Sequence, residues 1–263
     1  KDGEVTGGPV YYIREAFKGG AGKFLALLFA VFIIFALGFM GNAVQSNSIA
    51  SGIKGIKGLE NINPAIVGVV IAILAALIFV GGMDRIAKFA ELVVPVMAAV
   101  YILGSLVILV LYASHVGPTF AWIFKSAFNG TAVAGGIAGA AVKVAVQKGV
   151  ARGLFSNEAG MGSAPNAAAT ADVSHPAKQG LVQMLSVFID TLLICTATAF
   201  MCLSTNVVPA KFLASDGTAD AAGYVQQSIG STLGEFGPIF IAVAMSLFAF
   251  TTLIGNYSYV EGC

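Results

Sequence analysis

Charged residues are scarce in this chain. Of its 263 residues only 10 % are charged, 14 of them lysine or arginine and 13 aspartate or glutamate, whereas soluble domains carry about 25 %. So few charges cannot cover a globular surface with solvated groups. The net charge of +1 also produces no field that would attract phosphate groups. The composition therefore excludes a disordered protein, a nucleic-acid binder and an ordinary soluble enzyme.

Histidine and cysteine are equally sparse. His115 and His175 stand apart in the sequence, and the three cysteines, Cys195, Cys202 and Cys263, show no metal-binding spacing. We interpret the cysteines as small apolar packing residues. Because neither a metal cluster nor a nucleophile–base pair can be read from the sequence, a membrane-embedded enzyme is the least favoured class of function.

Apolar runs and glycine dominate what is present. Hydrophobic residues make up 57 % of the chain and glycine contributes 32 residues, and a helix needs about 20 apolar residues to span a bilayer. The sequence predicts an all-α, polytopic membrane protein with one transmembrane domain over residues 1–263. Six spans are predicted, at 24–53, 63–82, 92–113, 133–171 (broken), 176–203 and 236–260. Since the chain starts at Lys1 and ends just after an apolar run, we expect a fragment.

Polar segments separate the predicted spans. We expect a compact charged turn at residues 84–91, a short interfacial helix within 115–130 and a polar loop at 204–235. If the amino-terminal segment is inside, the inside loops carry more lysine and arginine than the outside loops, provided that 133–171 crosses once. The charge pattern therefore requires the weakly hydrophobic fourth span to be a crossing.

The strongest chemical signal lies within that fourth span, at residues 152–165, Arg-Gly-Leu-Phe-Ser-Asn-Glu-Ala-Gly-Met-Gly-Ser-Ala-Pro. Its glycines let the backbone leave helical geometry, and Pro165 removes one helical hydrogen bond. Unwound backbone at membrane depth persists where it lines a cavity or is buried in protein. Its exposed carbonyls bind cations and its amides bind carboxylates, which is typical of a transporter site. The alternative is a simple loop between two spans.

Three segments resemble one known family. Residues 7–13, Gly-Gly-Pro-Val-Tyr-Tyr-Ile, and residues 153–165 look like the two most distinctive motifs of the alanine or glycine:cation symporters. Residues 251–261, Thr-Thr-Leu-Ile-Gly-Asn-Tyr-Ser-Tyr-Val-Glu, look like a third motif. The resemblance covers nearly the whole chain and implies part of the inverted-repeat fold of the bacterial leucine transporter, corresponding to helices three to eight with a broken helix six.

The resemblance also implies a substrate site between the broken first and sixth helices. Asn157 and the backbone would contact the substrate, Phe155 and Met161 would form its apolar wall, and the space beside Gly160 would suit alanine or glycine. Gln45 would reach the amino group, although an interhelical hydrogen bond explains it equally well. The implied substrate-binding residues are Gln45, Phe155, Ser156, Asn157, Gly160, Met161 and Asn256.

Two threonines in the last span are the implied cation ligands. The resemblance assigns Thr251 and Thr252 to a sodium site, whereas the alternative is that their hydroxyls bond to carbonyls of their own helix. Asn256 departs from the family pattern, which often has tryptophan there. Asparagine would make the pocket wall smaller and more polar, so the choice of substrate stays open.

Three charges fall within predicted spans and require a partner or a wet cavity. Arg152 and Glu158 flank the expected break, where they either pair with each other or leave Glu158 to carry coupled charge. Asp190 is isolated in its span, and its candidate partners are Arg152, Lys148 or cavity water.

The function predicted from these features is sodium-coupled symport of a small neutral amino acid, alanine or glycine, by alternating access. The partners would be that substrate, the sodium ion and the lipid bilayer, with no nucleic acid. We expect a multi-pass protein of a bacterial or archaeal cell membrane. The alternatives are an ion channel, which needs a continuous pore, or another cation-coupled amino-acid carrier.

Overall fold

A computed structural model describes residues 7–128, 146, 147, 149–151, 153, 158, 161–205, 207 and 220–261. No strand occurs among these residues, so the predicted all-helical class is confirmed for the described part of the chain. The helices are α1 Pro9–Ala16, α2 Gly20–Lys54, α3 Pro64–Phe79, α4 Gly82–Leu111, α5 Ala113–Phe128, α6 Ala164–Ala168, α7 Pro176–Leu203, α8 Ala221–Leu233 and α9 Phe236–Glu261.

Four of the described helices are long and apolar enough to cross a membrane, at Gly20–Lys54, Arg85–Leu111, Pro176–Leu203 and Phe236–Glu261. Helix α3 has 16 residues, or about 24 Å, which is shorter than a hydrocarbon core of about 30 Å. Large apolar side chains such as Phe32, Leu77 and Leu103 are exposed on these helices. Because so many lie outward without polar neighbours to cover them, the structure is that of a multi-pass membrane protein.

The charged turn predicted at residues 84–91 is wrong in its extent. Helix α4 already begins at Gly82, whose φ of +70° makes the reversal that follows α3. Arg85, Lys88 and Glu91 lie within the first turns of the helix, three residues apart on one side. Charge alone predicted a loop, but a spacing of three residues is equally compatible with a polar stripe on a helix.

The predicted polar loop at 204–235 is also wrong in part, because it contains helix α8. Asp220 caps this helix by accepting a hydrogen bond from the Gly223 backbone at 2.9 Å. Gln226 is buried, and its Nε2 donates to the carbonyl of Gly52 in α2 at 2.7 Å, which satisfies the buried amide. Polar composition therefore did not mean exposure here, since tertiary contacts satisfy these polar groups.

The second half of α2 and helix α9 form an antiparallel pair. Gly38 lies against Val260, Asn42 bonds to Asn256, and Gly52 lies against Ala242, so residue numbers fall on one helix as they rise on the other. Helix α3 packs against this pair through a buried apolar cluster. The cluster consists of Ile49 and Ala50 of α2, Val67, Ile71 and Ala75 of α3, and Ala249 and Leu253 of α9.

Two of the long helices contain π-helical stretches. Ile34–Gly41 lies in the middle of α2 and Ile189–Cys195 in the middle of α7. Such stretches shift the register of the side chains and frequently occur at functional sites. The first directly precedes Asn42, and the second contains Asp190.

Candidate functional site

The two glycine-containing motifs meet in the structure. Gly8 has a φ of +112°, and a Cβ built on it would lie 2.9 Å from the side-chain Cγ of Asn166. Gly162 has a φ of +83°, and a Cβ there would lie 3.0 Å from the Phe29 ring and 3.2 Å from Pro9. Residues 7–9 therefore pack directly against the segment 162–169, and glycine is required at both contacts by backbone angle and by space.

Glu158 of the second motif bonds to residues of its own motif and of α9. Its φ of +57° is unusual for a residue with a side chain. Its carboxylate Oε2 accepts a hydrogen bond from the Ser163 hydroxyl at 2.8 Å, and the Tyr259 hydroxyl also hydrogen-bonds to the Glu158 carboxyl. The Met161 backbone N–H donates to the Glu158 carbonyl at 3.2 Å. These bonds hold Glu158, in a backbone conformation that is not helical, beside α9.

Asn166 connects the second motif to the third. Its Nδ2 donates to the backbone carbonyl of Tyr259 at 3.2 Å, and the residue is buried. Segments that resemble the family at residues 7–13, 153–165 and 251–261 thus converge at one place. We call Gly8, Glu158, Ser163, Asn166 and Tyr259 the three-segment junction.

A hydrogen-bonded pair of side-chain amides, Asn42 and Asn256, lies one helical turn from Tyr259. Asn256 is only 2 % exposed, and its Nδ2 donates to Oδ1 of Asn42 at 2.9 Å. The Nδ2 of Asn42 in turn donates to the Gly38 carbonyl at 3.1 Å. A Cβ on Gly41 would lie 3.2 Å from the Asn256 amide nitrogen, so the π-helical stretch lets α2 approach α9 closely here.

Two other predicted substrate residues lie near this region. Gln45 is partly buried, one turn beyond Asn42 on α2, and has no hydrogen-bond partner within the described residues. Met161 is partly buried, and its backbone N–H bonds to the Glu158 carbonyl. Neither is seen to contact Asn256, and their predicted roles in binding substrate stay predictions.

The two predicted sodium ligands bond to their own helix. The Thr251 hydroxyl donates to the Leu247 or Phe248 carbonyl at 2.9 or 3.0 Å and lies 3.8 Å from the Met97 sulfur. The Thr252 hydroxyl donates to the Phe248 carbonyl at 2.8 Å. A hydroxyl that donates its hydrogen in this way keeps oxygen lone pairs that can coordinate a cation.

Two carboxyl-bearing residues of the predicted spans, Glu158 and Asp190, carry like charges that repel each other. The predicted partners of these residues, Arg152 and Lys148, lie outside the described residues, so neither predicted ion pair is tested. In the part of the chain that the structure describes, no group of three or more histidine, cysteine or acidic residues could hold a metal ion.

The remaining predicted site residues, Phe155, Ser156, Asn157 and Gly160, also lie outside the described residues. Sequence reasoning in turn missed Asn42, Ser163, Asn166 and Tyr259 as site residues. Ser163 and Tyr259 belong to segments singled out as motifs, and Asn42 lies in the amide-rich end of the first span. Their importance depends on contacts between segments more than 90 residues apart.

Loops at one end of the α2–α9 pair carry exposed charges. Lys57 Nζ lies 2.6 Å from Glu235 Oε1, with both side chains about four-fifths exposed. The Glu60 carboxylate accepts a hydrogen bond from the Gly58 N–H at 2.9 Å. Its own backbone N–H and that of Gly58 lower the pKa of Glu60. Exposed pairs of this kind contribute little to stability, so these charges mark the solvated end of the bundle.

Comparison with known proteins gives a consistent result. The family model described as "Sodium:alanine symporter family" matches residues 1–263. The amino-acid carrier protein AlsT of Bacillus subtilis is 44 % identical over 262 residues, which is 99 % of this chain and 52 % of AlsT. The sodium/alanine symporter AgcS of Methanococcus maripaludis is 38 % identical over 264 residues, 100 % of this chain and 56 % of AgcS. The probable sodium/glutamine symporter GlnT of Bacillus subtilis is 41 % identical over 255 residues, 97 % of this chain and 50 % of GlnT. The chain spans about half the length of these relatives.

Proposed function

The chain belongs to the sodium:alanine symporter family, which is a family of transporters and not of enzymes, and from this we propose that it serves in sodium-coupled symport of a small neutral amino acid. The observation that carries the proposal is the three-segment junction. Three segments that lie far apart in sequence meet there around backbone that is not helical at Glu158 and Gly162. Such backbone at membrane depth supplies the polar groups that bind an amino acid and a cation.

The substrate would lie beside the broken segment and α2. Asn157, Ser156 and the backbone around Gly160 would hold the polar groups of the amino acid, and Phe155 and Met161 would enclose its side chain. Gln45 lies one turn beyond Asn42 on α2, has no hydrogen-bond partner among the described residues, and would offer its amide to the amino group of the substrate. The hydrogen-bonded Asn42–Asn256 pair would limit the volume on the α9 side, which supports a small substrate such as alanine or glycine.

Sodium would be the co-transported ion, and Thr251 and Thr252 would supply oxygen ligands to it. Sodium accepts several hydroxyl and carbonyl ligands, and both threonine oxygens retain lone pairs after donating to α9 carbonyls. Because each bound cation stabilises the ligated arrangement of helices, the ion would favour the conformation that binds substrate.

Transport would proceed by alternating access, with α7 moving together with the broken segment against a scaffold that includes α2 and α9. The long antiparallel contact of α2 with α9 supports the scaffold role. The junction residues Glu158 and Asn166 connect the two parts through Tyr259. In a bacterial or archaeal cell, the membrane would be the cytoplasmic membrane.

The test is uptake of labelled alanine into proteoliposomes under an inward sodium gradient, with an equal potassium gradient as the control. We expect saturable uptake that requires sodium and that unlabelled glycine or alanine reduces. Glutamine is included as a competitor because one relative is named for it. Ion flux that does not saturate and does not depend on amino acid would instead indicate a channel, and uptake driven by a proton gradient alone would indicate another cation-coupled carrier.

A further inference from the structure

A cavity lies beneath α8, in the half of the bundle where α2 ends and α9 begins. Its volume is about 330 Å³, and α2, α4, α7, α8 and α9 all contribute to its wall. None of the residues that line it belongs to the three-segment junction, and Thr251 and Thr252 are not part of its wall. Its lining includes Val225 of α8 and Met245 and Phe248 of α9.

The wall of this cavity is uncharged. None of the eleven residues that line it, all within the described part of the chain, is acidic or basic. A zwitterionic amino acid placed there would bury an ammonium and a carboxylate without charged partners, which costs several kcal/mol for each ion. The cavity therefore does not suit the substrate proposed above, and its occupant has to be uncharged and mainly apolar.

Three hydroxyl groups give the cavity a defined polar character. Thr198 donates its hydrogen to the Ile194 carbonyl at 2.8 Å, and its oxygen lies 2.6 Å from the Tyr101 hydroxyl. Since Thr198 has only one hydroxyl hydrogen, Tyr101 must be the donor in that second bond. Ser48 donates its hydrogen to the Val44 carbonyl at 2.9 Å.

All three hydroxyl hydrogens are thus used within the protein, while the oxygens of Ser48 and Tyr101 retain free lone pairs. The polar groups of the wall can accept hydrogen bonds from a ligand without any rearrangement, but they can donate none unless an existing bond breaks. A ligand that brings an N–H or O–H donor on an apolar body satisfies this wall, and a ligand that brings only acceptors does not.

We propose that this cavity binds a small, uncharged, lipophilic alcohol or phenol, whose hydroxyl donates to Ser48 or Tyr101 while its apolar body packs against Val225, Met245 and Phe248. Five helices contribute to the wall, so a bound molecule stabilises the arrangement in which they leave this space open. The proposal concerns a site distinct from that of the transported amino acid and does not depend on the proposed symport.

The direct test is calorimetric titration of 2-naphthol into the protein in lipid nanodiscs, with empty nanodiscs subtracted. The matched probe is 2-methoxynaphthalene, which has a similar apolar body but no hydroxyl hydrogen. We expect one 2-naphthol per chain, bound roughly fivefold more tightly than the methoxy compound because one net hydrogen bond is lost. Equal affinities, or no heat beyond that of empty nanodiscs, would overturn the proposal.

Two variants locate the site. Ala222→Phe places a ring in the cavity from α8 and should weaken 2-naphthol binding at least tenfold, whereas Ala72→Phe adds the same ring to the exposed face of α3 and should leave binding unchanged. The triple variant Ser48→Ala, Tyr101→Phe and Thr198→Val keeps the apolar shape and removes the acceptors. It should bind both naphthalenes equally, with the affinity of the methoxy compound retained.

Other results of the same titrations would contradict the proposal. If Ala222→Phe bound 2-naphthol as well as the unaltered protein does, the probe would be elsewhere. If the triple variant kept the preference for 2-naphthol, the hydroxyl wall would not be its cause. If alanine displaced 2-naphthol competitively, the cavity would belong to the substrate site.

Discussion

Side-chain amides that join distant segments are the residue-scale feature that most distinguishes the site region. Asn166 and Asn256 are buried and Asn42 is partly buried, and each takes part in a hydrogen bond between segments that are distant in sequence. A buried amide that loses its partner retains its full desolvation cost, so each of these bonds also specifies which helices pair.

The Asn42–Asn256 pair provides a quantitative test of this idea. Asn42→Ala and Asn256→Ala should each lower the free energy of unfolding by about 1–3 kcal/mol, because the first leaves the buried Asn256 amide, and the second the partly buried Asn42 amide, without this hydrogen bond. The double variant should cost less than the sum of the two, by about 0.5 kcal/mol or more. Unfolding in mixed micelles measures all three values. Strictly additive losses would show that the two amides do not interact energetically.

The proposed sodium role of Thr252 can be separated from its structural role. If Thr252 supplies a sodium ligand, Thr252→Val should raise the sodium concentration for half-maximal alanine uptake roughly tenfold, since it replaces the proposed ligand oxygen with a methyl group. Thr252→Ser keeps the hydroxyl that bonds to Phe248 and should retain a sodium dependence close to that of the unaltered protein. A sodium curve that is the same in all three proteins would remove Thr252 from the ion site.

At the scale of single helices, the sequence predicts the long apolar helices but not α8. The long apolar runs of α2, α7 and α9 predict helices directly, because a chain within a bilayer must satisfy its backbone internally. Helix α8 could not be predicted in this way. Its burial depends on Gln226 reaching the Gly52 carbonyl, and no local pattern in the sequence encodes a contact between two such distant positions.

The candidate site shows the same division. Motif residues such as Gly8 and Gly162 could be singled out from the sequence because glycine at such positions signals backbone that other residues cannot adopt. That these segments pack together, with Tyr259 accepting from Asn166, could not be inferred from composition or periodicity. The predicted Arg152 pairing depends on residues outside the described part of the chain.

The packing of the first motif against the second yields a prediction with a matched control. Gly8 and Gly19 both have positive φ angles, of +112° and +89°, but only Gly8 has a neighbour that a Cβ would meet. Gly19→Ala should cost about 1–3 kcal/mol of stability from backbone strain alone. Gly8→Ala should cost a further 1–3 kcal/mol, roughly, from overpacking against Asn166, and alanine uptake should fall with it.

Thermal unfolding of the two variants in detergent, together with the uptake assay, checks this difference. Equal stability losses for Gly8→Ala and Gly19→Ala would mean that residues 7–9 and the segment around Asn166 do not pack as described. Equal uptake in the two variants, after correction for the amount of folded protein, would mean that this contact does not position the site.

At the scale of the whole molecule, low charge, exposed apolar faces and convergence of three motifs lead to one account. The second half of α2 packs antiparallel against α9, and the non-helical backbone at Glu158 and Gly162 lies beside this pair, held by bonds from Ser163 and Tyr259. An amino acid and a sodium ion that both bind against this backbone would stabilise the same arrangement of helices, and their binding free energies would then be linked.

The measurement that tests this account most directly is the affinity for alanine as a function of sodium concentration, together with the affinity for sodium as a function of alanine concentration, both on the purified protein in nanodiscs with choline as the replacement cation. The account predicts that sodium raises the affinity for alanine and that alanine raises the affinity for sodium by the same factor, as linkage requires. An affinity for alanine that stays constant from choline to saturating sodium would contradict it.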